Sequence, residues 1–251
     1  MILYEHPFNE RIRTYLRLEH LFGRLGQLLP REAALDHHFA LVTIFEVMEV
    51  TSRADLKSDV LKDLDRQRTL MASLHGNPAI SEASLDAVLG RLERAFAELG
   101  GQHGKPGHEL TENDWLMSIR SRVAIPGGTC EFDLPAYHAW QQGQSATRRA
   151  DLQHWSTSLG PMAQAIHLLL QILRDTGKPQ MVMANGGQFQ MGLPQGRAVQ
   201  LLRLRLDESL GLVPEISGNR LMVSVRLTRQ DQEGKFHTAR MDAPFELALC
   251  S

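Results

Sequence analysis

Leu169-Leu-Gln-Ile-Leu-Arg-Asp-Thr-Gly-Lys-Pro-Gln-Met-Val-Met-Ala184 holds the change of hydrophobic period that sets the fold class. Up to Arg174 the apolar residues Met162, Ala165, Ile166, Leu169 and Leu173 recur at helical spacing, and Thr176-Gly177 closes the helix. From Lys178 the period is two. Gln180–Ala184 and Gln188–Met191 flank Asn185-Gly186-Gly187, which predicts a hairpin. Gln200–Leu206 alternates strictly, with Leu202, Leu204 and Leu206 on one face and Arg203 and Arg205 on the other. Arg220–Leu227 alternates as well, which places Arg220, Met222, Ser224 and Arg226 together. Phe245–Leu249 reads as a last strand.

Upstream the pattern is helical throughout. Phe8–Leu29 carries Phe8, Ile12, Tyr15, Leu18, Phe22 and Leu25 on its apolar side, and Pro30 limits it. Further helices are expected over Asp36–Val50, over Arg53–Leu74 with Ser52 as N-cap, and from a Ser81 cap to Leu99. Gly100-Gly101 is a stop, and a Gly-rich connection follows to His108. Asn113–Val123, Pro135–Gln142, Ala146–Ser156 and Pro161–Arg174 complete the set. The fold class is therefore α+β: an N-terminal all-α helical domain over 6–176, then a C-terminal antiparallel β domain over 177–251. Residues 2–5, a short apolar run ended by His6-Pro7, are an extra strand for that sheet.

Between two of the helices lies Ile125-Pro-Gly-Gly-Thr-Cys-Glu-Phe-Asp-Leu-Pro-Ala-Tyr-His-Ala-Trp140. Pro126-Gly127 suits a type II turn, Gly128 allows a close backbone approach, and Pro135 fits a first helical position. With Phe132, Tyr137 and Trp140 the stretch reads as a packing junction. Arg120, Arg122 and His138 crowd it, which also suits the border of a recognition site.

Composition excludes several classes. The chain has 251 residues, 43% of them hydrophobic, and a formal net charge of -2, which disfavours a dedicated nucleic-acid binder. Its two cysteines form no Cys-x-x-Cys, so a zinc ribbon is excluded and no metal site or cofactor is expected. No signal peptide and no run approaching a membrane span is seen, which implies a soluble cytoplasmic protein without membrane insertion. No nucleophile elbow, Rossmann fingerprint, P-loop or His-Glu-x-x-His occurs, so the expectation is not an enzyme. Glu5-His6 is an acid/base pair only in principle.

Cations stand out instead. Of 27 Lys plus Arg only Lys57, Lys62, Lys105, Lys178 and Lys235 are lysine. Such a bias suits recognition of carboxylates at interfaces, and GC-rich coding produces it too. Arg13, Arg17, His20 and Arg24 form one helix stripe with no interleaved carboxylate, so a ligand or partner carboxylate is expected there. If the sheet packs on the helices, Arg13, Arg17, Arg53, Arg120, His138, Arg220 and Arg226 converge into an electropositive groove with apolar neighbours such as Met222. That suits a short peptide with acidic and aliphatic side chains. The alternative is a helical protein that uses the same groove for phosphates or nucleic acid.

Ile125–Trp140 also resembles the central motif of the ZapD family, which is associated with the bacterial Z ring. Tyr4–Glu19, Leu61–Gln67, Ile216-Ser-Gly218 and Phe245–Cys250 are similar to further family motifs in the same order. The resemblance implies a helical domain plus a β domain with a basic pocket between them. It implies a homodimer that binds the C-terminal tail peptide of FtsZ, the bacterial tubulin-like GTPase, and cross-links FtsZ filaments at the mid-cell division site. By matching motif it carries Arg13, Arg17, Arg53 and Arg226 over as tail-binding residues. One departure is Met222, where the family pattern has a second Arg; Arg220 is the nearest substitute.

Overall fold

The computed structural model describes residues 1–251 except Ala54, Gln195 and Arg197. Ala54 belonged to the expected third helix and lies outside the described residues. The chain divides into two compact units: Leu16–Leu169, and Met1–Tyr15 together with Leu170–Ser251.

Eight α-helices occur among the described residues: α1 Glu10–Leu28, α2 Ala34–Thr51, α3 Leu56–Ala72, α4 Glu82–Gly101, α5 Asp114–Val123, α6 Pro135–Gln142, α7 Ser145–Thr157 and α8 Gly160–Asp175. Their starts follow local chemistry. Asn9 Oδ1 accepts from Ile12 N (2.8 Å), Ser81 Oγ from Ser84 N (3.4 Å) and Asn113 Oδ1 from Leu116 N (3.0 Å). α2 is apolar on nearly every side, so it is the helix the others pack around: α5, α6 and α7 all lie against it. α3 and α4 pack on each other.

Ser52 differs from its expected role. It ends α2, with its N–H on Met48 O (2.9 Å) and its Oγ on Glu49 O (2.7 Å). A serine hydroxyl satisfies a spare carbonyl at a helix end as readily as a spare N–H at a start. α3 therefore begins at Leu56, and Arg53 sits in the linker before it.

The turn at Pro126-Gly127 forms as read. Gly128 N donates to Ile125 O (2.9 Å), and Gly127 has φ +70°. A Cβ on Gly128 would lie 2.6 Å from Arg122 O, so the close approach is real. The aromatic junction forms around Tyr137 and Trp140 but without Phe132, which is 79% exposed. Trp115 takes its place, with ring centroids 5.4 Å from Trp155, 5.8 Å from Trp140 and 6.1 Å from Tyr137.

The strands are β1 Ile2–Pro7, β2 Gln180–Ala184, β3 Gln188–Gly192, β4 Leu201–Leu206, β5 Val213–Gly218, β6 Met222–Gln230, β7 Phe236–Thr238 and β8 Ala243–Cys250. They form two antiparallel sheets, ordered β1-β4-β8-β2 and β3-β6-β5, with β7 also on β6. The N-terminal strand joins the first sheet, with Glu5 opposite Arg203. Leu202, Leu204 and Leu206 share one core with Val223, Val225, Leu227, Phe245 and Leu247. The two sheets thus bury their inner faces against each other. Phe189 and Phe245 meet edge to face at 5.3 Å between the layers.

Two strand expectations are corrected. β2 and β3 do not form a ladder with each other. A single bridge joins Asn185 and Gln188, after which β2 pairs with β8 and β3 with β6. Val182 and Phe189 are needed in opposite layers, so the chain crosses between sheets at the turn. Arg220 is not on a strand. It lies in the β5–β6 turn, where Asn219 Oδ1 takes the N–H groups of Leu221 (2.8 Å) and Met222 (3.0 Å) and delays the strand to Met222.

Candidate partner-binding surface

Arg13, Arg220 and Arg226 belong to the unit that carries the sheets; Arg17, Arg53, Arg120 and His138 belong to the helical unit. No hydrogen bond or ion pair joins any two of the seven among the described residues.

Within α1, Asn9 caps the helix so that Arg13 and Arg17 follow one turn apart. Arg13 Nε is held by Glu10 (3.0 Å), while Arg17 is exposed and has no ion-pair partner among the described residues. Farther along, Arg24 donates to Thr43 Oγ1 (2.8 Å) and pairs with Glu46, both from α2. The carboxylate expected beside this stripe is thus supplied at both ends by the chain itself, and Arg17 and His20 remain open.

Arg53 is exposed between α2 and α3, and Arg120 and His138 are half-buried on α5 and α6. Arg53 and Arg120 have no ion-pair partner among the described residues. Arg122 faces Asp133 at 3.7 Å across the central turn.

On the sheet, Glu215 stands opposite Arg226 in the β5–β6 register. Its Oε2 accepts from Arg226 Nε (2.8 Å) and Nη2 (2.6 Å). A cleft of about 410 Å³ runs over this pair and is lined also by Gln188, Ser217 and Ser224. Met222 lies on the same outward face, 40% exposed. A second cleft of about 760 Å³ has apolar walls from Phe8, Leu193 and Val199, with Asn219 and Arg220 at its edge. Arg220 is exposed and unpaired among the described residues.

Other charged groups have structural work. Glu5 accepts from Arg174 Nε (2.9 Å) and Nη2 (2.6 Å) and from Arg203 Nε (3.0 Å). It is therefore an ion-pair hub under the first sheet and not an acid/base partner of His6. Burial and then the nearby Arg13 charge lower the pKa of His6. Arg148, buried in α7, donates to His37 Nδ1 (2.9 Å), Gln141 O (3.0 Å), Glu32 O (2.7 Å) and Gly143 O. His37 Nε2 meets Arg31 O (2.7 Å), so this nitrogen carries the proton and Nδ1 accepts. Burial, and less strongly Arg148, hold the His37 pKa below its ordinary value against the opposing pull of that carbonyl. Burial likewise lowers His38 and raises Tyr137, whose hydroxyl meets His38 Nδ1 at 2.7 Å. The sequence carries no signal of the burial of Arg148, which sits in the first turn of α7 with Asp151 at helical spacing, as a surface arginine would.

His75, Glu82 and Asp86 form a small exposed cluster where α3 hands over to α4. Glu82 accepts from Gly76 N (2.7 Å) and meets His75 Nδ1 (2.6 Å), while Asp86 faces the other ring nitrogen at 3.8 Å. Glu82, hydrogen-bonded to both His75 and Gly76, fastens the turn.

The chain thus combines a helical unit with a two-sheet unit, and each carries arginines without a carboxylate partner among the described residues. A family model described as "ZapD: Cell division protein" matches residues 16–226. Proteins named cell division protein ZapD from Ralstonia pickettii (strain 12J) and Ralstonia nicotianae (strain ATCC BAA-1114 / GMI1000) are 53% and 52% identical over 252 residues. Each match covers 100% of both chains. The protein of that name from Janthinobacterium sp. (strain Marseille) is 48% identical over 251 residues, again with full coverage. The chain belongs to the ZapD family of cell division proteins.

Proposed function

We propose that this protein acts without catalysis in the cytoplasm. It binds the C-terminal tail of FtsZ and, as a homodimer, cross-links FtsZ filaments into bundles at the mid-cell division septum. The observation that carries the reading is the set of open arginines. Arg17, Arg53, Arg120 and Arg220 have no intramolecular carboxylate among the described residues, whereas Arg24, Arg174 and Arg203 are committed to one. Open guanidinium groups are suited to the acidic side chains of a short peptide, and the apolar cleft beside Arg220 suits its aliphatic ones. No helix among the described residues is long and apolar enough to cross a membrane, which agrees with recruitment through a protein partner.

Exposed Arg–carboxylate contacts are screened, so affinity per site is modest and falls with salt. Dimerisation then supplies avidity. Fluorescence anisotropy with a labelled tail peptide tests the partner. The wild type binds saturably and Arg17→Glu or Arg220→Glu weakens binding severalfold. Absence of binding at low salt, with micromolar binding of short RNA or DNA at physiological salt, sinks the reading in favour of a phosphate-binding role.

A further inference from the structure

We propose that Glu215 is a built-in competitor for the partner's carboxylate at Arg226; this rests on the peptide-binding role above. The two residues occupy facing positions on neighbouring strands, and one Glu215 oxygen takes the two-donor edge of the guanidinium, at 2.8 Å and 2.6 Å. That edge is the part of arginine that grips a carboxylate with two parallel donors. Around the pair the face is uncharged: Gln188 and Gln190 on β3, Ser217 on β5, and Met222 and Ser224 on β6. Glu215 is the one carboxylate these strand segments bring to Arg226.

Both side chains are about half exposed, so the pair is reachable and labile. An incoming carboxylate exchanges one Arg–carboxylate contact for another and gains little from Arg226 alone. Only a ligand that also gains contacts elsewhere displaces Glu215. The pair therefore discriminates against isolated anions while it leaves a peptide with several anchor points able to dock. This makes Glu215 a specificity-determining residue that lowers affinity.

The test is a double-mutant cycle with the labelled FtsZ tail peptide. Glu215→Gln keeps the size and strand position of the residue. It is expected to tighten binding about two- to fivefold, the range an exposed ion pair can supply. The gain is expected to vanish in an Arg226→Gln background, and thermal unfolding of each variant controls for the fold. If Glu215→Gln leaves affinity unchanged while Arg226→Gln weakens it, the competitor is refuted and the partner stands. If no variant binds the peptide, the functional reading fails and a second probe decides the competitor by itself. Inorganic phosphate is titrated while the Arg226 Nε–Hε signal is followed by NMR. A larger shift in Glu215→Gln than in wild type supports the competitor, and equal shifts overturn it.

Discussion

Arg148 and Arg149 are neighbours in sequence with opposite environments. Arg148 gives its protons to three carbonyls and one imidazole inside the helical unit; Arg149 faces Glu32 at 3.9 Å near the surface. Arg148→Ala strands several buried acceptors and is expected to cost about 3 kcal/mol or more. Arg149→Ala is expected to cost below about 0.5 kcal/mol, and chemical denaturation of both variants checks the contrast. His37 adds a pH dependence. Its folded pKa lies below its ordinary value, so the unfolded chain binds the proton first as the solution is acidified. The neutral ring thus favours the fold above the ordinary histidine value, and this contribution is lost as pH falls from there through the lowered folded value. Half-buried His38 and His6 add in the same direction. The melting temperature is expected to drop between about pH 7 and pH 5, and less steeply in His37→Gln, as a scan across that range shows.

At the scale of elements, the turn at Pro126-Gly127-Gly128 and the β5–β6 hairpin depend on glycines for different reasons. Gly128 lies against a backbone carbonyl that cannot move aside. At Gly218 the obstacle is a side chain, the Phe8 ring, 2.5 Å from where a Cβ would be. Gly128→Ala and Gly218→Ala are each expected to destabilise by about 1–3 kcal/mol. Calorimetry checks both, and repacking of Phe8 places Gly218→Ala at the lower end. Helices were legible in sequence almost to their ends because period and caps are local: α6 begins at Pro135 and ends at Gln142 as read. β5 was missed. Pro214 and Gly218 interrupt its alternation, which an edge strand tolerates because one side of its backbone needs no partner. The β2–β3 pairing was misread because alternation reports which residues face inward and not which strand lies alongside.

At the scale of the whole molecule, the sheet-bearing unit is discontinuous in sequence: β1 comes from the first residues and every other strand from beyond Leu170. Deletion of residues 1–9 would leave the backbone edge of β4 unpaired and Arg174 and Arg203 without Glu5. Such a chain is expected to aggregate on heating and to lose β signal in circular dichroism, whereas the helical signal is largely kept. Bundling supplies the test of assembly: an enforced monomer with unchanged tail affinity is expected to leave FtsZ filaments unbundled in sedimentation.

By itself the sequence determined the helices, the switch to strands after Thr176 and the extended character of β1. Each of these follows from hydrophobic period, caps and turn residues acting over a few neighbours. It also determined the excess of arginine over lysine. Only the tertiary structure decided which arginines stay open. Arg24, Arg148 and Arg226 look like Arg17 and Arg220 in the sequence. Their fates differ because Glu46, a set of carbonyls, and Glu215 are brought to them by helix packing and by strand register. A carboxylate neutralises an arginine through distance in space, which spacing along the chain does not reveal.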